Sequence, residues 1–193
     1  MNIDKYIEIF KKTGALLEGH FVLTSGRHSS SYFQCAKVLQ YPQYLSQFSK
    51  EIIKELSTEL EVDKVISPAV GGIVLGTEVG RLLNKPTIFA ERMNGHMSLR
   101  RGFKIKKGSK VIIIEDVITT GKSSMECVKL IKKSKAILVG FATIIDRSSK
   151  KTLKIKKRII SHLKIEVPTY KSNKIPKELD SIPISTPGSR FIK

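Results

Sequence analysis

The chain has 193 residues, 35 Lys+Arg against 17 Asp+Glu, a formal net charge of +18 and a sequence pI of about 10.0. At 40% apolar and 27% charged residues it holds enough apolar material for one core, which excludes an intrinsically disordered chain. No apolar run reaches the ~18 residues a membrane span needs. The stretch MNIDKYIEIFKKTG lacks the apolar segment of a secretory signal, and Cys35 and Cys127 have no zinc-ligand spacing. A cytoplasmic protein is expected, folded as one domain over 1–193.

Residues 3–12 have the period of a short amphipathic helix, with Ile3, Tyr6, Ile7 and Phe10 on one face. The polar stretch 24–31 then reads as a loop or hairpin. Pro42 opens a helix to about Leu60, its buried stripe formed by Leu45, Phe48, Ile52, Ile53 and Leu56. From there strands and helices alternate. Val62–Ser67 is a strand ending at Pro68, Gly71 opens a helix to about Leu83, and Thr87–Ala90 is a second strand. Val111, Ile112, Ile113 and Ile114 make a third strand, apolar on both faces as a central parallel strand must be. A helix from Ser123 to about Lys133 and a strand over Ala136–Ile145 follow. This alternation predicts an α/β fold, an open, mostly parallel sheet flanked by helices. Residues 1–40 and about 165–193 lie outside the pattern and are expected to form a small hood. Ligands of such sheets bind beyond the carboxyl ends of the strands, which directs attention to 67–72, 91–103, 115–123 and 146–149.

The positive charge is uneven. Residues 150–193 hold twelve Lys+Arg against three Asp+Glu, with the densest run at Lys150, Lys151, Lys154, Lys156, Lys157 and Arg158. Such a run can attract a polyanion, but solvated lysine is the better explanation, because most of these residues lie in no recognised nucleic-acid motif. His20, His28 and His162 show no constellation, and the two cysteines read as plain buried thiols.

The most informative segment runs Val111-Ile-Ile-Ile-Glu115-Asp116-Val117-Ile118-Thr119-Thr120-Gly121-Lys122-Ser123. Gly121-Lys122-Ser123 matches the end of a nucleotide-binding P-loop, but that motif needs glycine five positions earlier, where Asp116 stands. A carboxylate there would oppose the phosphates. Two acids closing a buried strand suit the vicinal hydroxyls of a ribose instead. The following small-residue loop and helix start suit a phosphate monoester, with hydroxyls from Thr119, Thr120 and Ser123. A ribose 5-phosphate moiety is the expected ligand.

This segment resembles the 5-phosphoribosyl-1-diphosphate (PRPP) motif of the type I phosphoribosyltransferases. Further stretches resemble the orotate phosphoribosyltransferase family: Phe21 to Ser29, Ser67 to Gly72, Glu91 to Phe103, Asp146-Arg147, and the ending Pro187-Gly188-Ser189-Arg190. The resemblance implies transfer of ribose 5-phosphate from PRPP to orotate, with Mg2+ on the diphosphate, in a homodimer with shared active sites. Glu115 and Asp116 would take the ribose hydroxyls, and Val117, Ile118, Thr119, Thr120, Gly121, Lys122 and Ser123 the 5-phosphate. Val70 and Gly71 would meet the diphosphate, and Thr119 and Arg147 the orotate. Residues 91–103 would form a mobile flap whose Arg92, His96, Arg100 and Arg101 serve the diphosphate and the transition state. Enterobacterial-type members carry lysine where this chain has Thr24, Gly71, Met93 and His96, which leaves the choice of flap cation open. Two alternatives remain on the residues alone, a purine phosphoribosyltransferase and a nucleic-acid-binding regulator of the same fold. The intact acids and flap argue against the second, so nucleic acid is not an expected partner.

Overall fold

The computed structural model describes residues 3–23, 26–56, 61–148, 159–165 and 167–186. Thr24 and Ser25, the basic run 150–158 and the ending 187–190 lie outside the described residues. The chain divides into two compact units, one drawn from Met1–Gln40 with Glu166–Lys193, the other from Tyr41–Ile165.

The first unit opens with α1 (Ile3–Lys12), whose buried face is Tyr6, Ile9 and Phe10. The expected stripe is thus turned by part of a turn, because Ile3 is exposed and Ile9 takes its place. Strands β1 (Leu16–Val22) and β2 (His28–Phe33) pair antiparallel, so the polar stretch resolves as a hairpin. The short helix α2 (Cys35–Leu39) follows.

In the second unit α3 (Pro42–Leu56) buries Phe48, Ser49, Ile52 and Leu56, leaving Leu45 and Ile53 half-buried. Residues 57–60, placed in this helix by the periodicity, lie outside the described residues. Next come β3 (Lys64–Pro68), α4 (Gly71–Leu83), β4 (Thr87–Met93), β5 (His96–Leu99), β6 (Lys110–Ile118), α5 (Lys122–Lys133), β7 (Ile137–Asp146) and β8 (Ile159–Lys164). They build a six-stranded sheet of order β5-β4-β3-β6-β7-β8, parallel except for the β4–β5 pair. Two strands escaped the sequence reading. The edge strand β8 lies beside β7, and β5 turns residues 91–99 from a loop into a β-hairpin. The remaining β9 (Thr169–Tyr170), α6 (Lys177–Asp180) and β10 (Ile184–Ser185) return to the first unit, giving its sheet the order β10-β1-β2-β9.

Strand order sets where a ligand can sit. From β3 the chain moves to β4 on one side, and from β6 to β7 on the other. Right-handed crossovers in opposite directions place α4 and α5 on opposite faces, and a crevice opens where the connections part, beyond the carboxyl ends of β3 and β6. Side-chain alternation along β6 follows suit. Val111 and Ile113 join the cluster with Cys127, Val128 and Ile131 of α5. Ile114 lies on the other side, where a Cβ at Gly72 would come 2.9 Å from its carbonyl oxygen. Helix α4 can approach this closely only because Gly72 lacks a side chain. Gly72→Ala therefore forces helix and strand apart and should lower stability by about 1–3 kcal/mol in a denaturant titration.

Candidate active site

Alternation also decides where the two acids at the end of β6 point. Glu115 has the parity of Ile113 and faces α5, where the Ser124 hydroxyl donates to its Oε2. Asp116 has the parity of Ile114 and faces the start of α4, where a Cβ added to Gly71 would stand 2.6 Å from Oδ2. Two neighbours in sequence thus line the crevice from opposite faces of the sheet. The Ala69–Val70 peptide bond is cis, and Val70 is the most exposed large apolar residue described, at 79%. The Thr143 hydroxyl donates to the Asp116 carbonyl at 2.9 Å and fixes the strand beneath the acids.

Both carboxylates keep some surface open to solvent, yet protein surrounds them. Burial pushes the Glu115 carboxyl up to about 8; the Ser124 hydrogen bond opposes this shift and the neighbouring Asp116 adds to it. Burial raises Asp116 as well, against hydrogen bonds from the backbone amides of Val117 and its own residue. The Cys127 thiol, one turn beyond Ser124, is buried and pushed up by desolvation and by the nearby Glu115 and Glu126. It is a core thiol rather than a nucleophile.

Strand β6 continues past the acids instead of ending at them. Val117 and Ile118 pair with Ile145 and Asp146 of β7, and the Ile118 side chain is fully buried. Of the residues expected to take the phosphate, 117–123, Val117 and Ile118 are part of the sheet and the loop itself begins at Thr119. Gly121 caps α5 at φ 69° with no side-chain cap, and the Lys122 amide meets the Thr120 hydroxyl at 3.4 Å. The first amides of α5 are a ready anion site at the mouth of the crevice. Since Ile118 pairs with Asp146, Thr119 and Arg147 leave the two strands side by side, and the Arg147 amide donates to the Ile118 carbonyl at 2.8 Å.

The segment expected as a flap is the β4–β5 hairpin, closed by Asn94 and Gly95 at φ 49° and 81°, the two-residue turn that matches strand twist. Its cations are not all alike. Both terminal nitrogens of Arg92 donate to the Glu126 carboxylate on α5, and one also reaches the Gly95 carbonyl. Arg101 makes a bidentate pair with Glu91, 2.8 and 3.1 Å, and lies over the Phe89 ring. His96 and Arg100 are exposed.

The Phosphoribosyl transferase domain family matches residues 43–177. The chain belongs to the phosphoribosyltransferase family. An orotate phosphoribosyltransferase of Chlorobium phaeobacteroides is 50% identical over 190 residues, 98% of this chain and 97% of that protein. The crystal structure of orotate phosphoribosyltransferase from Aeropyrum pernix superposes with a TM-score of 0.70 at 25% identity, covering 81% of this chain and 91% of that one. An adenine phosphoribosyltransferase of Thermoanaerobacter pseudethanolicus shares the fold, with a TM-score of 0.62 at 15% identity over 70% of this chain and 88% of that one. The expected open α/β sheet is the fold of this phosphoribosyltransferase. No helix among the described residues is long and apolar enough to cross a membrane.

Sequence reasoning missed three features of this unit and its companion. Glu126, which engages Arg92, carried no motif. Ser124 did leave a signal, since it shares the buried stripe of α5 with Cys127, Val128 and Ile131, where a polar residue needs a reason. In the first unit His20 Nε2 and His28 Nδ1 lie 2.6 Å apart, a buried pair where no constellation was expected. His162 is a core histidine, its Nε2 at 2.9 Å from the Phe48 carbonyl and its pKa lowered by burial.

The raised Glu115 pKa has a consequence for stability. A proton on this carboxyl favours the folded chain, so its contribution is full below about pH 4.5 and is lost as pH rises through about 8. Glu115→Gln removes that loss. Thermal denaturation should show nearly equal midpoints for the two proteins at pH 5 and a higher midpoint for the variant above pH 8.

Proposed function

We infer that this phosphoribosyltransferase is an orotate phosphoribosyltransferase, transferring ribose 5-phosphate from PRPP to orotate to give orotidine 5′-monophosphate and diphosphate. The observation that carries the reading is the Glu115–Asp116 pair at the β3/β6 crevice, above a helix start suited to phosphate. It stands in a chain matched over 98% of its length by an orotate phosphoribosyltransferase. The purine alternative rests on fold likeness to adenine phosphoribosyltransferases at 15–19% identity. The basic run that motivated a nucleic-acid regulator lies outside the described residues.

The reaction forms a bond from the orotate ring nitrogen to the anomeric carbon as the bond from that carbon to diphosphate oxygen breaks. Positive charge develops on the sugar ring, so the protein's work is to orient, to exclude water and to place negative charge near the ribose. Glu115 and Asp116 accept the 2- and 3-hydroxyls from opposite sides and hold the ring. Loop 119–123 and the first amides of α5 take the 5-phosphate. The backbone at Val70 and Gly71 meets the diphosphate, since a glycine there leaves room beside Asp116. Arg147 pairs the orotate carboxylate with its planar guanidinium, next to Thr119. Of the flap cations, Arg100 and His96 reach the diphosphate, while Arg92 does so by exchanging Glu126 for it.

Mg2+ fits as part of the substrate. No cluster of three or more His, Cys, Asp or Glu side chains that could cage a metal occurs among the described residues, and a hard cation on diphosphate oxygens needs none. It neutralises the leaving group when bound, and no side chain of this chain is assigned to it. The enzyme acts as a homodimer in which the β4–β5 hairpin of one subunit reaches the other's site.

Loss of orotate absorbance in the presence of PRPP and Mg2+ tests the assignment. Turnover should vanish without either, and adenine or hypoxanthine should not replace orotate; consumption of a purine base instead would overturn it. The variant carrying Glu115→Gln and Asp116→Asn should stay folded and lose at least about 100-fold in kcat/KM. Arg147→Ala should raise the KM for orotate by about tenfold or more with little change in that for PRPP, as loss of a charge-assisted pair requires.

A further inference from the structure

Glu115 can hold a ribose hydroxyl in one direction only if its carboxylate does not rotate. The terminal torsion of a glutamate is broad and has no staggered well to fix it, so a neighbouring group must do so. Ser124 is that neighbour. It lies in the first turn of α5, is fully buried, and its hydroxyl donates to Oε2 of Glu115. A serine hydroxyl has one proton, and here it is spent on this carboxylate. Oε1 is left as the oxygen that can face the crevice.

Among the described residues the surroundings offer no substitute. Asp116, the adjacent carboxylate, only repels Glu115. On α5 the Cys127 thiol is held protonated and Glu126 is engaged by Arg92 of β4. On β7 the residue paired with Glu115 is Thr143, and its hydroxyl is directed to the carbonyls of Asp116 and Ile145. Ser124 also stands on the core face of α5, where burying a hydroxyl without a purpose is unfavourable.

We propose that Ser124 is a positioning residue for the phosphoribosyl transfer, acting through Glu115 to present one carboxylate oxygen to the ribose of PRPP. This rests on the reading of Glu115 as a ribose-hydroxyl acceptor. The role is distinct from that of the loop 119–123 and the first amides of α5, which take the phosphate, because the Ser124 side chain is buried and its hydroxyl is directed to Glu115.

The test compares the native enzyme with Ser124→Ala and Ser124→Thr. Alanine removes the hydroxyl and leaves the space; threonine keeps the donor. Ser124→Ala should raise the KM for PRPP about tenfold, the size expected for one lost hydrogen bond to a charged group, with the KM for orotate within twofold and the melting midpoint preserved. Ser124→Thr should restore most of the affinity. An unchanged PRPP KM in Ser124→Ala, or an equal rise in both KM values, overturns the proposal. Calorimetry with Mg2+ and PRPP, without orotate, reads the same contact where no turnover is needed. Weaker binding by Ser124→Ala supports it even if orotate proves not to be the base, and equal binding overturns it. In a Glu115→Ala background, which has no acceptor for the serine hydroxyl, the further change Ser124→Ala should alter PRPP binding by less than twofold; a full tenfold loss there would show that Ser124 does not act through Glu115.

Discussion

Two carboxylates placed side by side at the carboxyl end of a central strand are the constraint around which the second unit is arranged. Adjacent residues of a strand face opposite ways, so Glu115 and Asp116 necessarily belong to different faces of the sheet. Each must then meet a different helix. Asp116 meets the start of α4, which tolerates it because Gly71 has no side chain. Glu115 meets α5, which answers with the Ser124 hydroxyl. The strand order, which reverses direction between β3 and β6, is what allows both helices to begin at the same crevice from opposite sides.

The arrangement works against stability in order to serve the reaction. Protein around the acids raises both carboxyl pKa values, so burial favours their protonated forms and makes ionisation costly. The same low-water surroundings strengthen any hydrogen bond these carboxyls accept. Beneath the acids, Ile112, Ile113 and Ile114 are fully buried and supply a close-packed base. The hairpin differs in character. Two of its arginines are engaged with carboxylates of the same unit, Arg92 with Glu126 and Arg101 with Glu91, while Arg100 and His96 are exposed.

Much of the site was legible in the residues. The run from Val111 to Ser123 names strand, acids, loop and helix in order, and the Gly71-Gly72 pair marks the facing helix start. What escaped had physical reasons. Strand β5 is only four residues long, so the alternation of His96, Met97, Ser98 and Leu99 is too brief to stand out, and the turn at Asn94-Gly95 was the clearest cue to a hairpin. Strand β8 follows a lysine-rich stretch whose charge hides its apolar residues. Glu126 and Arg92 are 34 positions apart, and His20 and His28 meet only because β1 and β2 pair.

The sequence alone determined the α/β order, the acidic strand exit and the family resemblance, because these depend on local period and on neighbouring residues. Tertiary structure decided which face each acid occupies, how far β6 runs before the phosphate loop, that Thr119 stands beside Arg147, and which cations are already engaged. Those facts follow from strand order, register and helix packing, which join residues far apart along the chain and leave no mark on the spacing between neighbours.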